Sequence, residues 1–388
     1  MGPICECLPA ELPTLIEGAL AERYWLAPTD PGTASPSVDS DEGPELAAGG
    51  GVILQTSGST GQPKGVCLPG SALVAGALAT QDLLGPLDWA GALPLQYVAG
   101  LMTLVRARVA GREFLPVASD LADLPTAVVG SGVAPRRVAL SIVATHLHRA
   151  LKAADEGDPT RVAALAACEV VLVGGSAVAL DLLERARAAG IRAIATYGMS
   201  ETCGGCVYDG VPLPGVHVSL LDDCGHGGGL EGRIAISGPM LFSGYRHRPD
   251  LTAETLVDGR VLTRDRGRWR DGRLEVLGRI DDVVISGGVN VDLAAVQATL
   301  DGLAPGRGVV VAAPDPEWGA VIWLVVAGGP GSGDLDLHDL DTWRARLRAA
   351  GLQAAALPKR LLGVETMPRT ISGKIDRQRL LELVQQAN

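Results

Sequence analysis

Residues 51–65 constrain this chain most. A short apolar run, Gly51-Val52-Ile53-Leu54, passes directly into Gln55-Thr56-Ser57-Gly58-Ser59-Thr60-Gly61-Gln62-Pro63-Lys64-Gly65. The eleven residues from Gln55 hold three glycines, four hydroxyl side chains and one lysine. The apolar run reads as a strand. Glycines after it let the backbone turn tightly and aim its N–H groups at an anion. The hydroxyls add donors and Lys64 adds a point charge. The pattern predicts a phosphate cradle. It is not a Walker A loop, which ends in Gly-Lys-Ser/Thr, because Pro63 precedes Lys64 and Gly65 follows it. A flexible Ser/Gly linker would seldom sit against a buried strand with Pro-Lys-Gly at its end.

The chain around this loop has 388 residues, 47% of them hydrophobic, which suits two domains. Aromatics are only 3%, so Leu, Val and Ala must fill the cores. A net charge of −11 argues against nucleic acid or an anionic membrane as the main partner. Seven cysteines in a chain this long do not suggest a disulfide framework. Cys203-Gly204-Gly205-Cys206 reads as small residues filling a tight turn. Met1–Glu6 shows neither the basic nor the apolar region of a signal peptide. The most apolar windows, near 162–183 and 309–326, carry Glu169 and Glu317. A cytoplasmic protein with no membrane insertion is expected, and a homo-oligomer is left open.

Residues 28–50, rich in Pro, Ser, Gly and Asp, read as a loop. From 51 to about 200, apolar runs alternate with helical patterns. Ala90–Leu93, Glu113–Val117, Val138–Val143, Glu169–Val173 and Ile191–Ala195 are the expected strands. Ser71–Leu83, Val98–Ala110, His146–Ala154 and Ala179–Ala189 are the expected helices. The alternation predicts a mostly parallel α/β sheet. From 216 to 279, short strands with Gly/Asp turns predict a small antiparallel β unit. Its many arginines, interleaved with acids, read mostly as a solvated face. Beyond 281 an α+β module is expected, with strands at Val309–Ala312 and Ile322–Val326 and helices at Asp292–Leu300 and Trp343–Ala350. The domains are therefore expected at 1–280 and 281–388.

Four further segments carry chemistry. Val173-Gly174-Gly175-Ser176 is expected to leave a strand and open a helix, allowing close approach to a flat ligand. Thr196-Tyr197-Gly198-Met199-Ser200-Glu201-Thr202, also expected to follow a strand, offers an aromatic face, hydroxyls and one carboxylate. A lone carboxylate beside a polyphosphate suits Mg²⁺, which takes few protein ligands. Thr263-Arg264-Asp265 and Gly278-Arg279-Ile280-Asp281-Asp282 come next, where Asp265 can accept from paired ribose hydroxyls. Last is Arg369-Thr370-Ile371-Ser372-Gly373-Lys374, just before a terminal helix.

The order and spacing of these five segments resemble the adenylate-forming superfamily of acyl-CoA synthetases, peptide-synthetase adenylation domains and luciferases. The resemblance runs from about 51 to 382. Within it, Thr196–Gly215, Leu93-Pro94-Leu95 with Ala99-Gly100-Leu101, and the compact region before the cradle are most similar to the o-succinylbenzoate–CoA ligase family of menaquinone biosynthesis, in its short actinobacterial form. Three positions depart from that pattern. Gln96-Tyr97 stands where the family usually has His-His. Thr263-Arg264-Asp265 replaces Thr-Gly-Asp or Thr-Asp-Asp but keeps the acid. Asn290-Val291-Asp292-Leu293 replaces Asn-Val-x-Pro.

The resemblance implies a large N-terminal domain of parallel sheets and a small, mobile C-terminal domain bearing a catalytic Lys374. It implies ATP, Mg²⁺ and coenzyme A. Thr56, Ser57, Gly58, Ser59, Thr60, Gly61 and Lys64 would grip the phosphates. Gly174, Gly175, Ser176, Tyr197, Gly198 and Ser200 would surround the adenylate, Asp265 and Arg279 would take the ribose, and Glu201 would hold the metal. Gln96, Met199, Gly204 and Arg149 would line the acid pocket, with Arg149 on a second carboxylate of an aromatic diacid. Asp281 would be the hinge, and Gly287 and Gly288 would line the coenzyme A channel. Two other readings stay open: a ligase for a different aryl or acyl acid, and a catalytically silent nucleotide-binding homologue.

Overall fold

The computed structural model describes residues 4–29, 46, 49–57, 63–129, 136–222, 229–304, 306–328, 339–369 and 375–387. Gly58, Ser59, Thr60, Gly61 and Lys374 lie outside the described residues. Contacts divide the chain into two units, residues 1–219, 235–263 and 270–274, and residues 220–234, 264–269 and 275–388.

The first unit holds two sheets. One has the order β1 (Ile4–Cys7), β2 (Trp25–Pro28), β3 (Gly51–Ser57), β4 (Pro63–Pro69) and β14 (Gly244–Tyr245). The β3–β4 pair is an antiparallel hairpin whose connection carries the glycine-rich loop. The other sheet has the order β11 (Val211–Pro212), β10 (Gly204–Tyr208), β9 (Ala193–Met199), β8 (Val170–Gly174), β7 (Val138–Val143), β5 (Asp88–Gly91) and β6 (Phe114–Pro116). The β6–β5–β7–β8–β9 run is parallel, and β10 closes it antiparallel.

Helices α1 (Leu12–Leu20), α2 (Gly70–Leu84), α3 (Val98–Val109), α4 (Leu124–Val129), α5 (Ala144–Asp155), α6 (Thr160–Ala167), α7 (Leu180–Ala188) and α8 (Pro249–Thr255) complete this unit. Leu140, Ile142, Val171 and Val173 of the parallel strands pack with Leu147, Leu165 and Leu183 of α5, α6 and α7. Strands buried on both faces read as continuous apolar runs, which is why β7 and β8 were visible in the sequence.

A third sheet has the order β12 (His217–Leu221), β13 (Glu231–Ser237), β16 (Arg260–Arg270) and β15 (Leu256–Val257), with β17 (Arg273–Arg279) paired to β16. The chain crosses between the two units within β12, β13, β16 and β17. The second unit holds a fourth sheet, in the order β19 (Val289–Asp292), β18 (Val283–Ser286), β21 (Gly319–Ala327) and β20 (Gly308–Asp315), with β22 (Arg360–Val364) parallel to β21. Helices α9 (Leu293–Leu303) and α10 (Leu340–Ala349) cover one apolar cluster, and α11 (Arg377–Gln386) covers another through Leu380 and Val384. Asp292 caps α9 by accepting from the Ala294 and Ala295 amides.

Local differences from the sequence reading have physical causes. The strand expected at Ala90–Leu93 is β5, Asp88–Gly91, because a turn begins at Leu93-Pro94 and any side chain at Gly100 would strike those two carbonyls. The strand expected to end at Ala195 runs to Met199, since Thr196–Met199 pair with β10. Tyr197, Gly198 and Met199 therefore lie in a strand and not after one. Gly174 ends β8, but α7 opens only at Leu180, so the Gly-Gly-Ser turn does not itself start a helix.

Candidate active site

Gly174 ends the parallel strand β8, with Gly175 and Ser176 just beyond it, and Glu201, Gln96 and Arg149 follow the carboxyl ends of β9, β5 and β7. That end of an open α/β sheet is where ligands bind. Tyr197 lies on the last turnward residues of β9. Gly174 has no room for a Cβ because the Thr196 hydroxyl occupies that space. Likewise a Cβ on Gly198 would collide with the Gly204 carbonyl on the neighbouring strand β10. These glycines let strand ends approach each other.

Lys64 is placed by β4, where Thr56 of β3 lies opposite it. The Thr56 hydroxyl donates to the Lys64 carbonyl at 3.3 Å. Gly65 allows β14 to lie on β4, since a Cβ there would press within 3.1 Å of Arg246 Cβ. Tyr245 then pairs with Val66, and the Arg246 N–H donates to the Gly65 carbonyl at 2.7 Å.

Glu201 sits in a one-turn 3-10 helix, Ser200–Thr202, directly after β9. The Thr202 hydroxyl locks this turn, donating to the Gly204 carbonyl at 2.8 Å and accepting from the Met199 amide at 3.0 Å. Cys203 ends it in the left-handed region at φ 49°. The Glu201 carbonyl accepts from the Phe242 amide at 2.9 Å.

These elements converge on three side chains. Lys64 Nζ donates to the Tyr245 hydroxyl at 2.9 Å, and that hydroxyl donates to Glu201 Oε1 at 2.6 Å. Lys64 Nζ is also 3.5 Å from Glu201 Oε1 and 4.0 Å from the Tyr245 ring centroid. The Lys64 side chain is 25% exposed and that of Glu201 12%. The lysine and the carboxylate thus stand side by side with part of each side chain open to solvent, so neither is sealed from an incoming polyphosphate. Tyr245 was missed in the sequence because it stands among arginines read as a solvated face. With five tyrosines in the chain, a Gly-Tyr pair next to apolar Met240-Leu241-Phe242 was the signal that could have exposed it.

A resident metal centre would need a cluster of ligands, and no group of three or more His, Cys, Asp or Glu is placed to hold a metal among the described residues. One carboxylate beside a lysine fits Mg²⁺ arriving with a nucleotide, because that ion keeps waters and phosphate oxygens as its other ligands. Cys203 and Cys206 are buried free thiols, and burial pushes both thiols up, Cys206 to about 12.

Gly204 faces Met102 and Val98 of α3, each within 3.7 Å of where a Cβ would stand. Gln96 and Tyr97 lead into that helix, so the structure brings the α3 entry and Gly204 together. Arg149 is exposed on α5.

Asp265 lies on β16 and Arg279 ends β17. Arg279 grips Asp281 with two hydrogen bonds of 2.8 Å and is 4.0 Å from Asp265. Arg264 adds a 3.6 Å contact to Asp281, and Arg377 pairs with Asp282 at 3.1 Å. Burial pushes the Asp281 carboxyl up, but the Arg279 hydrogen bonds and charge outweigh it and hold it below the usual value. At Asp282 burial prevails over Arg377 and raises the carboxyl. Gly287 and Gly288 form the β18–β19 turn at φ 59° and 78°, a conformation glycine adopts without strain. Trp318 lies against Gly287, whose Cβ would come within 2.9 Å of its ring.

Comparison with known proteins agrees with this architecture. The family model for AMP-binding enzymes matches residues 21–246, and the chain belongs to that family. A probable 2-succinylbenzoate–CoA ligase of Mycobacterium tuberculosis is 39% identical over 345 residues, covering 85% of this chain and 83% of the relative. A feruloyl-CoA synthase of an Amycolatopsis species is 34% identical over 360 residues, covering 86% of this chain and 70% of the relative. Among solved structures, the o-succinylbenzoate CoA synthetase of Bacillus subtilis in complex with its acyl-adenylate intermediate shares the fold at a TM-score of 0.73 and 24% identity, covering 97% of this chain and 82% of that one.

Proposed function

We propose that this chain is an ATP-dependent acid–thiol ligase that converts 2-succinylbenzoate, ATP and coenzyme A into 2-succinylbenzoyl-CoA, AMP and diphosphate. The observation that carries this reading is the Lys64–Tyr245–Glu201 cluster, set beside the phosphate-cradle hairpin at the carboxyl ends of the parallel strands. The Mycobacterium relative at 39% identity supports the choice of acid.

In the first half-reaction a carboxylate oxygen of the acid attacks the α-phosphorus, and the bond to diphosphate breaks. Two anions must meet, so positive charge between them lowers the barrier. Lys374 supplies it in this reading. Lys64 and the loop from Thr56 to Gly61 hold the β- and γ-phosphates. Glu201 would hold Mg²⁺, which when bound neutralises phosphate charge. Gly174–Ser176 and Tyr197 bracket the adenine, and Asp265 with Arg279 takes the ribose. In the second half-reaction the thiol of coenzyme A adds to the acyl carbon, AMP leaves, and the thiol proton passes to solvent. The module from 281 onward turns about Asp281 between the two steps and presents Gly287-Gly288 to the thiol channel.

A second reading keeps the chemistry and changes the acid. The feruloyl-CoA synthase relative and the Gln96-Tyr97 pair favour it. One experiment separates the two. A panel of carboxylic acids with ATP and Mg²⁺ is read by diphosphate release with and without coenzyme A. The proposal expects 2-succinylbenzoate to give the highest kcat/KM. A higher value for ferulate or another monoacid would replace the substrate. No release with any acid would favour a silent homologue.

A further inference from the structure

We propose that Tyr245 is a positioning residue for the first half-reaction, holding one oxygen of Glu201 so that the other faces the metal of the ATP complex. This rests on the reading that Glu201 is the Mg²⁺ ligand. A phenol has one proton to give, and Tyr245 gives it to Glu201 Oε1 at 2.6 Å. Its oxygen accepts from Lys64 at 2.9 Å. Both contacts from the described residues fall on, or relay to, Oε1, and Oε2 takes no hydrogen bond from a described residue.

The arrangement answers a difficulty in the site. Without nucleotide, Lys64 and Glu201 attract each other. When phosphates arrive, Lys64 must turn to them, and Glu201 loses that partner as the metal approaches. A carboxylate released into free rotation would bind the metal with an entropic penalty. Tyr245 removes it, because its hydrogen bond does not depend on Lys64. The phenol is itself fixed from three sides. Its strand is paired with β4, its amide donates to the Thr252 hydroxyl at 2.9 Å, and its ring meets Phe242 edge-on at 5.0 Å. The side chain is almost fully buried, so its orientation is set before any ligand binds.

Tyr245→Phe keeps the ring and its packing and removes only the hydroxyl. It should be compared with Glu201→Gln and with the double variant. Three readouts are needed: the Mg²⁺ midpoint for diphosphate release, calorimetric ATP binding with Mg²⁺ or with EDTA, and thioester formation from supplied acyl-AMP. For Tyr245→Phe the Mg²⁺ midpoint should rise several-fold. ATP binding should weaken with Mg²⁺ present and stay the same in EDTA, and thioester formation should be spared. The double variant should shift the midpoint no further than Glu201→Gln alone, since Tyr245 acts through Glu201. Additive shifts would overturn the inference. So would a Tyr245→Phe variant with lower Tm and both half-reactions slowed equally at an unchanged Mg²⁺ midpoint. If Glu201→Gln itself leaves the midpoint unchanged, the metal-ligand reading fails and the inference falls with it. If Glu201→Gln moves the midpoint and Tyr245→Phe does not, the inference alone fails.

Discussion

Lys64 illustrates how one residue can be right in type and unexpected in setting. Its sequence neighbours suggested a lysine riding on a loop, yet it stands on β4 opposite Thr56, with its ammonium against Tyr245 and Glu201. A strand-borne lysine has a fixed root, so its reach is set by side-chain rotamers and not by loop motion. In the proposed mechanism it touches phosphate and leaves the acid alone. Lys64→Ala should therefore raise the KM for ATP by roughly ten- to a hundredfold, from the loss of a charge-assisted hydrogen bond of about 1.5–3 kcal/mol. Calorimetry should show acyl-AMP binding nearly unchanged, and an equal loss for both ligands would refute the placement. Arg149 offers a sharper contrast. It is exposed on α5, so its residue type alone cannot decide between surface and site. If it holds the distal carboxylate, Arg149→Ala should weaken kcat/KM for 2-succinylbenzoate and leave a monoacid analogue untouched. The residue types at Lys64 and Glu201 were legible because their chemistry is tied to a dense local motif. Tyr245 was not, because its role comes from pairing of β14 with β4 across some 180 residues of chain, and the Gly-Tyr pair beside an apolar run is the one local trace of it.

Among elements, those buried on both faces were easiest to read. β7 was placed at its observed ends, and α2, α3, α5 and α7 to within a residue or two, since apolar runs and helical periodicity survive in the sequence. β1, α1 and β2 were not foreseen: the two strands are four residues each and gain their stability from the pairing of β1 with β2 and of β2 with β3, and from packing Trp25 against Ile53 and Cys67. The extension of β9 to Met199 was hidden for a related reason, because it depends on the partner strand β10. Helix α5 carries an element-scale prediction. His146 sits in its first turn and accepts a long hydrogen bond on Nδ1 from the Val143 amide at 3.4 Å, which requires the neutral ring. Burial lowers its pKa from 6.5, with the Arg149 charge adding to the effect and a Ser119 backbone contact opposing it. A base whose folded pKa is depressed takes up a proton in the unfolded chain first. Stability tied to His146 is therefore present above pH 6.5 and declines as pH falls below that value toward the folded pKa. His146→Gln should flatten the fall in Tm over that window. An identical pH profile in the variant would show that this ring does not titrate against stability.

For the molecule as a whole, the proposed mechanism needs one module to serve two half-reactions, and the residues beyond 281 contain the means of testing it. Lys374 has work only while the carboxylate meets the α-phosphorus. Lys374→Ala should stop diphosphate release from ATP and acid, while supplied acyl-AMP still yields thioester. Asp281 is the proposed pivot, and the structure complicates the obvious variant there. Its carboxylate binds Arg279 through two hydrogen bonds and meets Arg264 as well. Replacing it with proline would both restrict the backbone, fixing φ near about −65°, and free two arginines, one of them assigned to the ribose. Asp281→Asn separates these effects, because it keeps the shape and backbone freedom but loses the charge. If backbone rotation at this residue carries the alternation, Asp281→Asn should keep both half-reactions in similar proportion. Asp281→Pro, if held in the adenylating orientation, should release diphosphate with little thioester. Rapid-quench measurement of acyl-AMP and thioester in the three variants decides the matter. Equal damage to both half-reactions in Lys374→Ala, with circular dichroism unchanged, would remove the basis for a module that turns. Matching losses in Asp281→Asn and Asp281→Pro would instead assign the residue to the arginine cluster and move the pivot elsewhere in the chain.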